Sequence, residues 1–227
     1  MSVVQRAFAW AGGVLFVASL GWCTWWFLFA LGRRQPPSSW PPFVVDAILV
    51  TIFALHHSVF AREPVKRAMT AAIPEGLLRP VYVWIASVLL ILVCVLWQPL
   101  GGELYDIVGW RALALAAVQV AGIVVIVQSV RTIDPLELAG IRPPAGAEGL
   151  QTRGVYGLVR HPIYFGWALA VFGAAHMTRD RFFFAVLTTM YLAIAVRWEE
   201  RSLVRSFGEP YRRYQQRVRW RMIPFIY

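Results

Sequence analysis

The chain has 227 residues, 59% hydrophobic and 15% charged, with a formal net charge of +10. A soluble domain carries roughly a quarter charged residues, so this composition excludes an ordinary one and points to a compact bundle of membrane helices. Lys66 is the one lysine, and the arginines fall in loops between apolar runs. That placement favours contact with the anionic headgroups of a lipid bilayer over binding of nucleic acid.

Six apolar runs follow in chain order, at residues 7–31, 43–60, 81–98, 110–130, 162–177 and 182–198. A membrane-spanning helix needs about 20 residues, with about 17 as the lower end. The first and fourth runs meet this comfortably. The last two are short, so the hairpin they form need not cross the whole bilayer. The first run is too long for a signal peptide and lacks a small-residue cleavage site, so a retained helix is expected. The segment PPSSWPP at 36–42 reads as a stiff turn-forming loop. Cys23 and Cys94 lie in separate apolar runs and read as small buried hydrophobes. The expected fold is all-α: a polytopic bundle of five to six membrane helices, with a C-terminal helical hairpin and an interfacial tail helix.

Basic residues set the expected orientation. Seventeen of the 22 fall on the side of the N-terminus, the second and fourth loops and the tail, and five on the other. By the positive-inside rule both termini are then cytoplasmic.

The stretch LQTRGVYGLVRHPIY at 150–164 places Arg160, His161 and Pro162 at the mouth of the fifth run, and Glu199 and Glu200 close the sixth. Ionisable groups at the edge of hydrocarbon are costly and mark sites. In a symmetric hairpin centred on Asp180, Arg160 is level with Glu200 and His161 with Glu199. Pro162 suits the first position of a helix, whose free N–H groups attract an anion. Two carboxylates at a helix C-terminus oppose the dipole and need a cation. Arg160, Arg197 or Arg201 could provide it, as could a ligand carrying ammonium or sulfonium charge. Gly154 and Gly157 allow a close backbone approach before the helix. Gly166 and Gly173, seven apart, smooth one face for a neighbouring helix or a ligand.

In the tail, Tyr211, Tyr214 and Val218 recur at helical spacing with arginines opposite. This pattern fits an amphipathic helix on the inner leaflet, or a lid whose aromatics close over a cofactor. Adjacent His56 and His57 point about 100° apart on a helix and cannot share one metal. One is expected to face an acceptor cavity and the other to pack or hydrogen-bond; no metal site is expected. Asp46 is expected to snorkel, and Gln119, Gln128 and Ser129 to bond between helices.

The pattern formed by Leu150, Thr152, Gly154, Tyr156, Arg160, His161, Pro162 and Tyr164, then Glu199-Glu200, then Phe207, Gly208, Tyr211 and Tyr214, resembles the isoprenylcysteine carboxyl methyltransferase and phospholipid methyltransferase family of integral membrane enzymes. The likeness covers the last third of the chain. The stretches at 55–67, 79–99 and 133–142 are similar to bacterial methanethiol S-methyltransferases, which implies a bacterial inner membrane. The ending from Val218 instead is similar to that of NADPH-dependent membrane sterol reductases. A transporter or scaffold would require repeats or paired broken helices, which the sequence does not display.

The methyltransferase resemblance implies that S-adenosylmethionine is bound by residues 146–227, while residues 1–145 form the acceptor side. The acceptor would be small or lipophilic and enter from the membrane: a thiol, a prenylcysteine carboxylate or a phospholipid amine. Catalysis would be chiefly positioning. The resemblance implies that Arg160 holds the cofactor carboxylate or orients Glu200, and that Glu199 or Glu200 takes its ammonium. His161, Tyr164 and the backbone around Leu158-Val159 would hold the adenosine half, Tyr156 and Pro162 would also bind the cofactor, and Tyr211 and Tyr214 would close over it.

Overall fold

The computed structural model describes residues 2–38, 41–60, 62–131, 135–142 and 149–227. In chain order these form α1 (Val3–Trp25, continued by a π-helical turn, Trp26–Ala30), α2 (Pro42–Phe60), α3 (Glu63–Met69), α4 (Glu75–Leu96), β1 (Glu103–Asp106), α5 (Trp110–Val130), α6 (Pro135–Leu138), a 3₁₀ turn (Gly154–Gly157), α7 (Pro162–Phe172), β2 (His176–Thr178), α8 (Arg179–Phe207) and α9 (Glu209–Arg217). The described residues fall into two compact units, one from α1–α4 and α6, the other from residues 103–131 and 149–227. The boundary expected at 145/146, residues 39 and 40 of the PPSSWPP loop, and Ile133 and Asp134 lie outside the described residues.

Among the described residues five helices are long and apolar enough to cross a membrane: α1 with its π-turn, α2, α4, α5 and α8. They turn large apolar side chains such as Val14, Ile48, Leu113 and Ile194 outward, as lipid-facing helices do. The protein is an integral membrane protein.

In the first unit, α1 starts with a capping box between Ser2 and Gln5. It packs on α4, where the Trp84 indole N–H donates to the Phe8 carbonyl at 3.0 Å. Asp46 does not snorkel. It is fully buried, and its Oδ1 accepts the Gln98 backbone N–H at 2.8 Å. Each histidine of the His56-His57 pair meets a backbone carbonyl, Tyr82 O at 3.2 Å and Phe53 O at 3.1 Å respectively. His56 also stacks on Tyr82, so both rings are held by packing and hydrogen bonds.

In the second unit, α5 lies along α7 at glycine-mediated contact. A Cβ on Gly166 would stand 2.5 Å from the Gly122 carbonyl, and one on Gly173 2.8 Å from the Gln119 side chain. The smooth face expected of these glycines is therefore the α5 seam. Gln119 adds an interhelical bond to the Ala170 carbonyl at 2.8 Å. The Ser129 hydroxyl donates to the Val125 carbonyl one turn back in its own helix. Gly166→Val is expected to force the helices apart and cost about 1–3 kcal/mol, the usual penalty of overpacking. Gly157→Ala, whose Cβ would meet nothing nearer than 3.9 Å, should be tolerated. Equal melting temperatures for the two variants in detergent would refute the seam.

One helix of the hairpin is as short as expected and the other is not. The fifth run is helical only over 162–172, too short to span, and ends at Gly173. The sixth is not short: α8 continues through the charged segment to Phe207 and stops where Gly208 turns to φ 61°. Level pairing survives because the lengths compensate. α7 rises about 16 Å, and the extended link to Thr178 adds up to about 20 Å, against about 33 Å of α8 from Arg179 to Glu200. The link includes β2, which pairs antiparallel with β1, a small sheet within an otherwise helical fold. There His176 Nε2 meets Glu103 at 2.8 Å.

Candidate active site

Pro162 starts α7, and the chain just before it is held from outside. The backbone N–H groups of Arg160 and His161 donate to the carbonyls of Trp220 and Arg221 at 2.9 and 2.8 Å. The C-terminal tail thus runs beside the helix mouth as an extended partner. Gly154 takes φ 61°, which favours glycine, whereas Gly157 makes no close backbone approach.

Arg160 is buried and spends its guanidinium on the protein. Its Nε donates to Glu200 Oε1 at 2.5 Å, and its Nη1 donates to the Val218 and Arg219 carbonyls at 2.6 and 2.9 Å. Arg221 Nε reaches the other oxygen of Glu200 at 3.0 Å. A buried carboxylate with two guanidinium partners is a satisfied network. The two adjacent acids differ: the Glu200 side chain is 7% exposed, that of Glu199 42%. Glu199 Oε2 accepts the Tyr164 hydroxyl at 2.6 Å and lies 3.5 Å from His161 Nδ1. His161 stacks on Tyr164, the rings 5.4 Å apart and 11° from parallel.

Arg160, His161, Tyr164 and Glu199 border a cavity of about 240 Å³. Of the residues singled out in the sequence, Tyr156, Arg160, His161, Pro162, Tyr164, Glu199, Tyr211 and Tyr214 line it. Leu158 is exposed and Val159 fully buried, and neither lines the cavity. Glu200 does not line it either; it acts from behind through Arg160. Leu203 and Phe207 line it without having been expected. Their signal was the spacing 199, 203, 207, one face of a helix. One buried polar atom at this cavity, the Tyr211 hydroxyl, has no hydrogen-bond partner, whereas His161 Nε2 faces Glu200 Oε1 at 3.5 Å.

The tail closes one wall. The apolar face of α9 is buried in protein: Tyr211, Tyr214 and Val218 pack against Leu150, Tyr156, Leu203, Val204 and Phe207. The Tyr214 hydroxyl donates to the Tyr156 carbonyl at 2.7 Å. Burial pushes its pKa from 10 up to about 12, while Arg160 and Arg217 pull down and Tyr156 and Glu200 push up. Burial, with the Glu200 charge adding to it, raises that of Tyr211 as well. Tyr214 therefore favours the folded tail fully below pH 10, and that contribution is lost as pH rises through about 12. Trp220 fluorescence should report the tail loosening over that window. Tyr214→Phe, which lacks the titrating hydroxyl, should shrink the change; an unchanged profile would refute the assignment.

The phospholipid methyltransferase family model matches residues 110–210, which begin at α5 and end in α9. A methanethiol S-methyltransferase of a Pseudomonas sp. is 36% identical over 193 residues, 81% of this chain and 74% of that protein. The chain belongs to the methanethiol S-methyltransferase family. A further methanethiol S-methyltransferase, of Mycobacterium tuberculosis, is 33% identical over 184 residues, 77% of this chain and 75% of that one. Membership of the family makes this protein a membrane methyltransferase. The sterol-reductase likeness is real but short: Delta(14)-sterol reductase of Mus musculus is 30% identical over 103 residues, 24% of its length. No solved structure matches the chain.

Proposed function

We propose that the protein transfers the methyl group of S-adenosylmethionine to a small thiol, with the cavity at the mouth of α7 as the cofactor site. The observation that carries this reading is the pairing of an accessible carboxylate, Glu199, with the buried Tyr211 hydroxyl, which lacks a hydrogen-bond partner. Such a group is costly unless a ligand bonds it. The lining suits a cationic group attached to a nucleoside: Glu199 for an ammonium, and the Tyr156, Tyr164 and His161 rings for an aromatic base.

Bound S-adenosylmethionine supplies a methyl group made electrophilic by its sulfonium sulfur. The residues supply placement. Glu200 holds Arg160, Arg160 holds the tail, and the tail holds Tyr211 and Tyr214 over the cavity, excluding water. Leu158 and Val159 are given no contact. The thiol acceptor is inferred from the relatives' names. A bacterial inner membrane with both termini cytoplasmic fits the arginine distribution and gives the site access to a soluble cofactor.

Purified protein in detergent, given methyl-labelled cofactor, should label methanethiol in preference to a prenylcysteine carboxylate or phosphatidylethanolamine. Label on the lipid amine alone would move the acceptor class. NADPH binding in place of S-adenosylmethionine binding would overturn the proposal.

A further inference from the structure

A second concavity, of about 410 Å³, lies on a different face of α8. That size falls in the range of small-ligand sites, about 300–1,000 Å³. Arg197, Arg201 and Arg205 recur every four residues along one wall, and Gln215 and Arg221 come from the tail. Like charges at this spacing repel one another. Arg205, in the last turn, gains from the helix dipole, but Arg197 and Arg201 lie too far inside the helix to share it.

The one carboxylate in this wall, Glu200, is already shared between Arg160 and Arg221. Arg197 Nε reaches the Tyr227 hydroxyl at 3.4 Å. Among the described residues Arg201 and Arg205 have no ion-pair partner, and both are exposed. The groove therefore holds an excess of forked donors, with an amide beside them. Planar guanidinium groups match the oxygens of a phosphate two at a time. The stripe also begins beside Trp198, where the apolar part of α8 ends, and rises about 12 Å from Arg197 to Arg205. This is the level of lipid headgroups.

We propose that the groove between the C-terminal half of α8 and the tail is a phosphate-binding site, taking the phosphate of an anionic phospholipid headgroup or of a soluble phosphate compound. It is separate from the methyl-transfer cavity and does not depend on the identity of the acceptor.

The test uses the full chain in phosphatidylcholine nanodiscs. One arm measures retention of spin-labelled phosphatidylglycerol, and the other titrates inorganic phosphate by calorimetry. Arg201→Gln/Arg205→Gln should weaken binding about tenfold or more. Arg212→Gln/Arg213→Gln, which removes the same charge from the exposed face of α9, should change it less than twofold. Binding in the first arm alone identifies a lipid headgroup, and in the second a soluble phosphate. Equal losses in the two double variants, or no binding in either arm, would overturn the proposal.

Discussion

Arg160→Ala is expected to unfasten the C-terminal tail and abolish cofactor binding together. The substitution removes the Glu200 bond and both carbonyl bonds to Val218 and Arg219. It leaves a buried carboxylate with Arg221 as its one remaining cation, and stranding half of a buried pair costs about 3–5 kcal/mol. The melting temperature in detergent should fall and proteolysis should open at residues 217–221. Arg160→Lys should rescue little, because an ammonium cannot span the carboxylate and two carbonyls as the guanidinium fork does. The double variant Arg160→Ala/Glu200→Ala should be more stable than Arg160→Ala, since the stranded charge is gone. A single variant that melts like the native protein would refute the role given to Arg160.

Glu199→Gln and Glu200→Gln should fail in different ways, although the residues are neighbours. Glu199 borders the cavity and is 42% exposed, so its loss should leave the melting temperature nearly unchanged. A charge-assisted hydrogen bond is worth about 1.5–3 kcal/mol, and exposure to solvent puts this one at the low end. Affinity for S-adenosylmethionine should therefore fall roughly tenfold by calorimetry. Glu200→Gln should lower the melting temperature first and lose affinity as a consequence. Native affinity in Glu199→Gln would remove that residue from the site.

The residues lining the cavity were legible largely because they form a local pattern. Arg160, His161, Pro162 and Tyr164 are nearly contiguous, and the hairpin returns Glu199 and Glu200 to their level. What one-dimensional reading missed were consequences of rotation and of competition for partners. Which of two adjacent glutamates faces the cavity depends on about 100° of helix rotation, which the pair itself does not encode. That Asp46 is buried and not snorkelling depends on the Gln98 N–H, which is 52 residues distant. The α8 boundary was missed because hydropathy stops at Trp198 while the helix does not; only Gly208 ends it.

Arg160 and the tail show where the division lies. Composition, apolar run lengths and the motif at 150–164 by themselves determined a membrane helix bundle with a cluster of ionisable groups at one helical hairpin, because apolar periodicity and short-range spacing are local properties. Only the tertiary structure decided that Arg160 is committed to Glu200 and the Val218 and Arg219 carbonyls, that Glu199 and not Glu200 faces the cavity, and that α9 buries its tyrosines in protein. Those outcomes depend on which donors and acceptors distant segments bring within about 3 Å of each other, and that proximity is a property of packing.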